Sequence, residues 1–223
     1  MKKTIDKFIA FDLDDTLYKE IDFVKSAYMH IAKQFPGLAY PYDCYKVLLN
    51  AYLNKEDAFA KLNEYLHINY PIKRYLELYR FHYPDITLLP GTAETLDYFQ
   101  QNGWQLGLIT DGRSITQRNK IMALDIEKYF DSNNTRISEE TGHTKISYEN
   151  FIYFMDRYPD CNQFVYVGDN TEKDFIWPNR LEWNSIGIRD NGQNIHPQDT
   201  HNPLYAPKIW IDDITELKTL LQS

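Results

Sequence analysis

The chain is poor in cysteine, in basic residues and in long apolar runs, and each shortage removes a class of protein. Only two cysteines occur among 223 residues, Cys44 and Cys161, far apart and in no metal-ligand spacing. A disulfide scaffold is therefore not expected, and two inert thiols suit a reducing compartment. Lysine and arginine number 24 against 32 aspartates and glutamates, a formal charge of −8. A nucleic-acid polymer needs a basic surface for its phosphates and is not an expected partner. No stretch approaches the roughly 20 apolar residues of a membrane span. Lys2 and Lys3 precede an apolar run too short for a signal peptide, so the expected location is the cytoplasm. Repeats and low-complexity tracts are also lacking. What remains is an ordinary globular composition, 43% hydrophobic and 25% charged. Its length fits one domain, or one domain carrying an inserted module.

The most informative segment is Phe8-Ile-Ala-Phe-Asp-Leu-Asp-Asp-Thr16. Its apolar half has the length and composition of a buried parallel strand, and it stops at Asp12 and Asp14. The carboxyl end of such a strand is where open α/β sheets bind ligands. Two carboxylates in a partly dry crevice repel one another, a cost that a divalent cation or a proton would relieve. Other apolar, β-rich runs end in comparable groups: Trp104–Ile109 before Thr110-Asp111-Gly112, and Phe164–Gly168 before Asp169-Asn170 and, further on, Asp174. Between them Gly142-His-Thr-Lys145 precedes a helical pattern that starts near Tyr148. All of these groups would meet at one edge of one sheet.

In these four ordered motifs (Asp12-Leu-Asp14-Asp-Thr16, Thr110, Lys145, and Gly168-Asp169-Asn170 through Asp174) the chain resembles the haloacid dehalogenase-like hydrolase superfamily, in its branch of Mg-dependent phosphatases. The chain departs from the usual pattern after Lys145, where Ile146 replaces a proline. The resemblance implies a doubly wound parallel-sheet, Rossmann-like α/β core with an inserted α-helical cap. It further implies a phosphomonoesterase that acts on a small phosphorylated metabolite through an aspartyl-phosphate. Asp12 would be the nucleophile. Asp14 would protonate the leaving group and later deprotonate water. Mg²⁺ would be held by Asp12, the Asp14 carbonyl and Asp169, with Asp174 supporting it directly or through water. Thr110, the N–H groups of Asp111 and Gly112, and Lys145 would bind the phosphoryl oxygens. Thr16 would orient the Asp12 loop.

Between the first motif and the next α/β unit lie about seventy residues with helical patterns over Asp22–Phe35, Cys44–Leu53, Asp57–Leu66 and Ile72–Phe81, punctuated by prolines. Residues 18–89 are expected to form the cap, and 1–17 with 90–223 the core, with Thr92 as the N-cap of the helix that re-enters it. Tyr18, Glu20 and Phe23 are the expected site-facing cap positions. Tyr75, Tyr79 and Tyr83 fit a packed helix face better than a base-stacking stripe. His196, Asp199 and His201 fall in a polar segment that reads as a mobile loop of solvated side chains. Asp174 has a second reading as a carboxylate at a helix start, and Lys145 as an exposed lysine. A phosphomutase shares all four motifs, whereas Asp14 and Asp169 argue against a dehalogenase. A catalytically idle binding domain would have no reason to cluster these charges. The chain is expected to be a monomer or a homodimer.

Overall fold

The computed structural model describes residues 6–222; Lys2 and Lys3 lie outside them. Strand β1 (Lys7–Phe11) is followed by four helices, α1 (Glu20–Ala32), α2 (Pro41–Leu53), α3 (Ala58–Leu66) and α4 (Ile72–Phe81). Then come α5 (Thr92–Gln101), β2 (Gln105–Thr110), α6 (Ser114–Ala123), β3 (Thr135–Ile137), α7 (Ser138–Thr141) and α8 (Glu149–Arg157). The chain closes with β4 (Gln163–Gly168), α9 (Ile176–Arg180), β5 (Asn184–Ile188), β6 (Ile209–Ile211), a 3₁₀ turn (Ile214–Glu216) and α10 (Leu217–Leu220).

The strands form one parallel sheet in the order β3-β2-β1-β4-β5-β6. Strand β1 is therefore flanked on both sides, which is why its residues are apolar on both faces. Ile9 and Phe11 join a cluster with Leu96, Phe99, Leu108 and Leu217. Phe8 and Ala10 join the opposite cluster with Phe151, Phe154 and Trp183. The order reverses between β1 and β4, and a crevice opens there at the carboxyl ends of the strands. Phe11 pairs with Leu108 on one side and Val167 on the other, so β2 and β4 run two residues and one residue past the end of β1.

Helices α1–α4 bury a cluster of their own, including Val24, Tyr28, Leu48, Leu62 and Tyr75. Tyr79 packs against this cluster and against the sheet-side core. Tyr83, the third member of the tyrosine stripe, is exposed. The last turn of α4 leaves carbonyls without helical partners, and α6 supplies donors. Thr116 Oγ1 bonds Arg80 O at 3.2 Å, and Asn119 Nδ2 bonds Phe81 O at 3.3 Å and His82 O at 3.0 Å.

Several local expectations are corrected. Thr92 is not an N-cap: Gly91 takes that position at φ 77°, and the Thr92 hydroxyl is buried without a partner among the described residues. The single helix expected over Ile214 to Leu221 is divided into a 3₁₀ turn, which a capping box of Asp213 and Glu216 starts, and α10. The short helices α7 and α9 were not expected; at 4 and 5 residues, neither is long enough to show an amphipathic period.

Candidate active site

Asp12 leaves the sheet at the end of β1, its N–H still donating to Val167 O at 2.8 Å. The chain then turns through Asp15, a non-glycine residue at φ 54°, and doubles back so that Asp14 bridges Tyr18. Such a conformation is uncommon for a side-chain-bearing residue and holds only where its surroundings fix it. Here the Asp15 carboxylate accepts from Glu20 N and Ile195 N, both at 3.0 Å.

The two carboxylates of the first motif have different surroundings. Asp14 Oδ1 accepts from Lys120 Nζ at 2.6 Å and from the Tyr18 hydroxyl, while Oδ2 accepts from Gln117 Nε2 at 3.0 Å. Burial alone would raise its pKa, but the Lys120 ammonium and these hydrogen bonds outweigh burial and hold it below the usual carboxylate value. Asp12 is pushed up to about 7, by burial first, against the opposing pull of Lys145. The pair is thus divided by environment, but in the direction opposite to the expected roles: Asp14, the expected acid, is held ionised, and Asp12, the expected nucleophile, is the one whose charge burial disfavours.

At the end of β2, Thr110 accepts from Gln117 Nε2 at 2.6 Å, which leaves its hydroxyl proton free to donate. Gly112 sits at φ 151°, and a Cβ there would lie 3.0 Å from Gln117 Cδ, so glycine keeps that side chain in place. The N–H of Gly112 donates to Ser138 Oγ at 2.9 Å, a contact that a phosphoryl oxygen would have to displace. The Asp111 carboxylate accepts from Lys145 N at 3.1 Å.

Lys145 is fully buried rather than exposed, and its ammonium lies 2.7 Å from Asp12 and 2.6 Å from Asp174. Burial disfavours its charge, yet the two carboxylates more than offset this and hold its proton tightly. The other Asp174 oxygen accepts from Asp169 N at 3.1 Å and Asn170 N at 2.8 Å. A Cβ on Gly168 would stand 2.6 Å from that oxygen, so the strand must end in glycine for Asp174 to reach the turn. Asp12, Asp169 and Asp174 each present an oxygen within 4.8 Å of the others. Asp169 is raised to about 9, by burial first and then by Asp174 and Asp12.

The segment after β5 is not the free loop that its composition suggested. Asn194 Nδ2 donates to Asp169 Oδ2 at 3.0 Å, and Asn194 Oδ1 accepts from Lys19 Nζ at 2.6 Å. Gln198 Nε2 bonds the main-chain carbonyls of Asp169 and Ile188 at 2.9 and 2.7 Å. His196 is exposed at the wall of the site; Asp199 and His201 are exposed as well. Thr16 is buried, but its hydroxyl has no partner among the described residues. Some of these groups line a cavity of about 70 Å³ whose walls include Asp12, Asp14, Glu20, Asp111, Asp169 and Lys173, while Thr110 and Lys145 are not among its lining residues. Sequence reasoning missed Lys120, Gln117 and Asn194. The first two fall three apart on one helix, which was the available signal.

Comparison with known proteins agrees with this geometry. A family model described as haloacid dehalogenase-like hydrolase matches residues 9–188. A glyceraldehyde 3-phosphate phosphatase of Methanocaldococcus jannaschii is 34% identical over 185 residues, 75% of this chain and 78% of its own. One from Methanothermobacter thermautotrophicus is 26% identical over 235 residues, covering 96% and 99%. The solved structure of the HAD-hydrolase YfnB from Bacillus subtilis, bound to magnesium, shares the fold at a TM-score of 0.67 and 19% identity, covering 98% and 99%. Because the matched residues run from β1 to the end of β5 and so carry every strand end of the crevice, the chain belongs to the haloacid dehalogenase-like hydrolase family.

Proposed function

We propose that the chain is a Mg²⁺-dependent phosphomonoesterase acting on small phosphorylated metabolites, with Asp12 as nucleophile and Asp14 as acid and base. The observation that carries this reading is the convergence of Asp12, Asp111 and Asp169 from three strand ends on one small cavity, with the buried Lys145 ammonium 2.7 Å from Asp12. The names of the curated relatives support the substrate class, and glyceraldehyde 3-phosphate is the first candidate.

Asp12 attacks phosphorus, and Lys145, 2.7 Å away, stays cationic beside the transferring group. The Thr110 hydroxyl and the Asp111 N–H complete the cradle, joined by Gly112 N–H once Ser138 releases it. Asp14 must leave Lys120 and Gln117 to take up the proton that it gives to the leaving-group oxygen.

The residues present fit a hard divalent cation. Their donors are carboxylate oxygens, and the raised pKa values of Asp12 and Asp169 are what a neighbouring cation would reverse. Asp12, Asp169 and the main-chain carbonyl of Asp14 would hold it, and Mg²⁺ when bound would offset charge on the phosphoryl oxygens. Asp174, with both oxygens already bonded, would support it by fixing the Asp169 turn. Residues 18–89 would act as the cap over a core of 1–17 and 90–223.

The test is hydrolysis of p-nitrophenyl phosphate. Turnover should require added Mg²⁺, stop with EDTA, and be abolished by Asp12→Asn while far-UV circular dichroism stays unchanged. Full activity in EDTA, or Asp12→Asn activity within about tenfold of the parent, would defeat the proposal.

A further inference from the structure

Gln117 is buried on α6 and is not among the residues that line the small cavity, so any part it takes in the chemistry passes through its neighbours. Its main-chain N–H stays in the helix and donates to Arg113 O at 2.9 Å. Its side-chain nitrogen serves two partners at once: Nε2 donates to Asp14 Oδ2 at 3.0 Å and to Thr110 Oγ1 at 2.6 Å. Gly112 leaves room for this arrangement, since a Cβ there would lie 3.0 Å from Gln117 Cδ.

The amide can face only one way. The Asp14 carboxylate, paired with Lys120 at 2.6 Å, takes donors, so the nitrogen end of Gln117 must point to it. The same nitrogen then meets Thr110, whose hydroxyl can only accept there and keeps its one proton for another partner. Without that donor, the buried hydroxyl would be free to turn its proton onto Asp14 instead. A donor already fixed toward the place where charge develops is worth more than one that must reorient during the reaction.

Resting on the phosphatase reading, we infer that Gln117 is a positioning residue: by donating to Thr110 it commits that hydroxyl to the phosphoryl group, and from the same nitrogen it ties the end of β2 to Asp14. It acts on the phosphoryl group through Thr110 rather than by touching it.

The test is a double-mutant cycle of Gln117→Met and Thr110→Val on kcat/KM for p-nitrophenyl phosphate with Mg²⁺. Nitrophenolate leaves without a proton, so this substrate keeps proton delivery by Asp14 out of the comparison. Each single variant should lose about tenfold or more, the effect of removing a hydrogen bond to a charged group. Because Gln117 works through Thr110, the double variant should match Thr110→Val to within about twofold. Losses that multiply overturn the inference, since a residue that merely packs α6 would act independently of Thr110. An unchanged rate in folded Gln117→Met overturns it as well. Circular dichroism checks each fold, and Gln117→Leu takes the place of the methionine variant if that one does not fold. An unchanged rate in Thr110→Val removes Thr110 from the cradle and this inference with it, while the phosphatase reading stands. No hydrolysis by the parent overturns both.

Discussion

Lys145 shows how burial turns one side chain into a structural and a chemical element at once. Its ammonium is fully enclosed between Asp12 and Asp174. Lys145→Met should therefore lower stability by about 3–5 kcal/mol at pH 7, because it strands two carboxylates. The loss should shrink toward pH 5, since carboxyls without their cation have raised pKa values and neutralise sooner. Urea denaturation at both pH values checks this; an equal loss at each would refute it. Asp14→Asn should slow turnover of an alkyl phosphate by about 10²–10⁴-fold and of p-nitrophenyl phosphate by less, because nitrophenolate leaves without a proton. Equal losses would remove the acid role. Asp12 and Asp14 are legible in sequence because a strand end and a two-residue spacing are local signals. Their different environments are not, since Lys120 and Gln117 lie 106 and 103 residues from Asp14 along the chain. Asn194 is hidden for the same reason, 25 residues past Asp169 in a segment whose composition suggests only solvent.

Among the elements, α6 has two occupied faces. Thr116 and Asn119 bond the end of α4, while Gln117 and Lys120 bond Asp14. Amphipathic periodicity finds such a helix but cannot show that its polar residues face inward on both sides. The strands were easier to read, because apolar runs bounded by polar turns survive in any context, and the span of α4 was legible in full from its spacing. The junction of α4 and α6 also has its own pH dependence. His82 Nδ1 donates to Tyr79 O at 2.8 Å, and Nε2 is buried with no partner among the described residues. Burial first, then the positive charge of His30 and Lys120, hold its pKa below the usual value against the favourable Tyr79 carbonyl. The unfolded chain takes up this proton at about pH 6.5, more readily than the folded one, so the contribution of His82 is present above that pH and lost as pH falls through it. The urea midpoint should thus fall less between pH 7.5 and 5.5 in His82→Gln than in the parent. Identical slopes would show that the ring titrates freely.

At the scale of the whole molecule, a chain of formal charge −8 would bind an anion only where a cation stands among its acids. On the proposed function Lys145, enclosed between Asp12 and Asp174, would be the cation that serves the phosphoryl group among these acids. A parallel sheet and a helical insert were expected from strand–helix alternation and from the length of the interval after the first motif, whereas the strand order was not. How the later polar segment lies against that layer was not, because it is held by single side-chain bonds rather than by a repeating pattern. A hollow of about 640 Å³, lined by Ile21, Tyr52, Asn194 and Ile195, sits between α1–α2 and that segment, while the reacting cavity holds only about 70 Å³. A volume so small encloses a phosphoryl group and little else. The site in this form is cramped but not closed, since exposed His196 and half-buried Lys173 stand in its wall, and an ester larger than its phosphoryl group does not seat there without movement. On the proposed function each cycle would include a breathing step, for which parting Lys19 from Asn194 is the movement we propose, and such steps rather than bond cleavage often pace an enzyme. If so, kcat should fall as glycerol or sucrose thickens the medium, while a slow substrate such as p-nitrophenyl phosphate should feel the viscosity less.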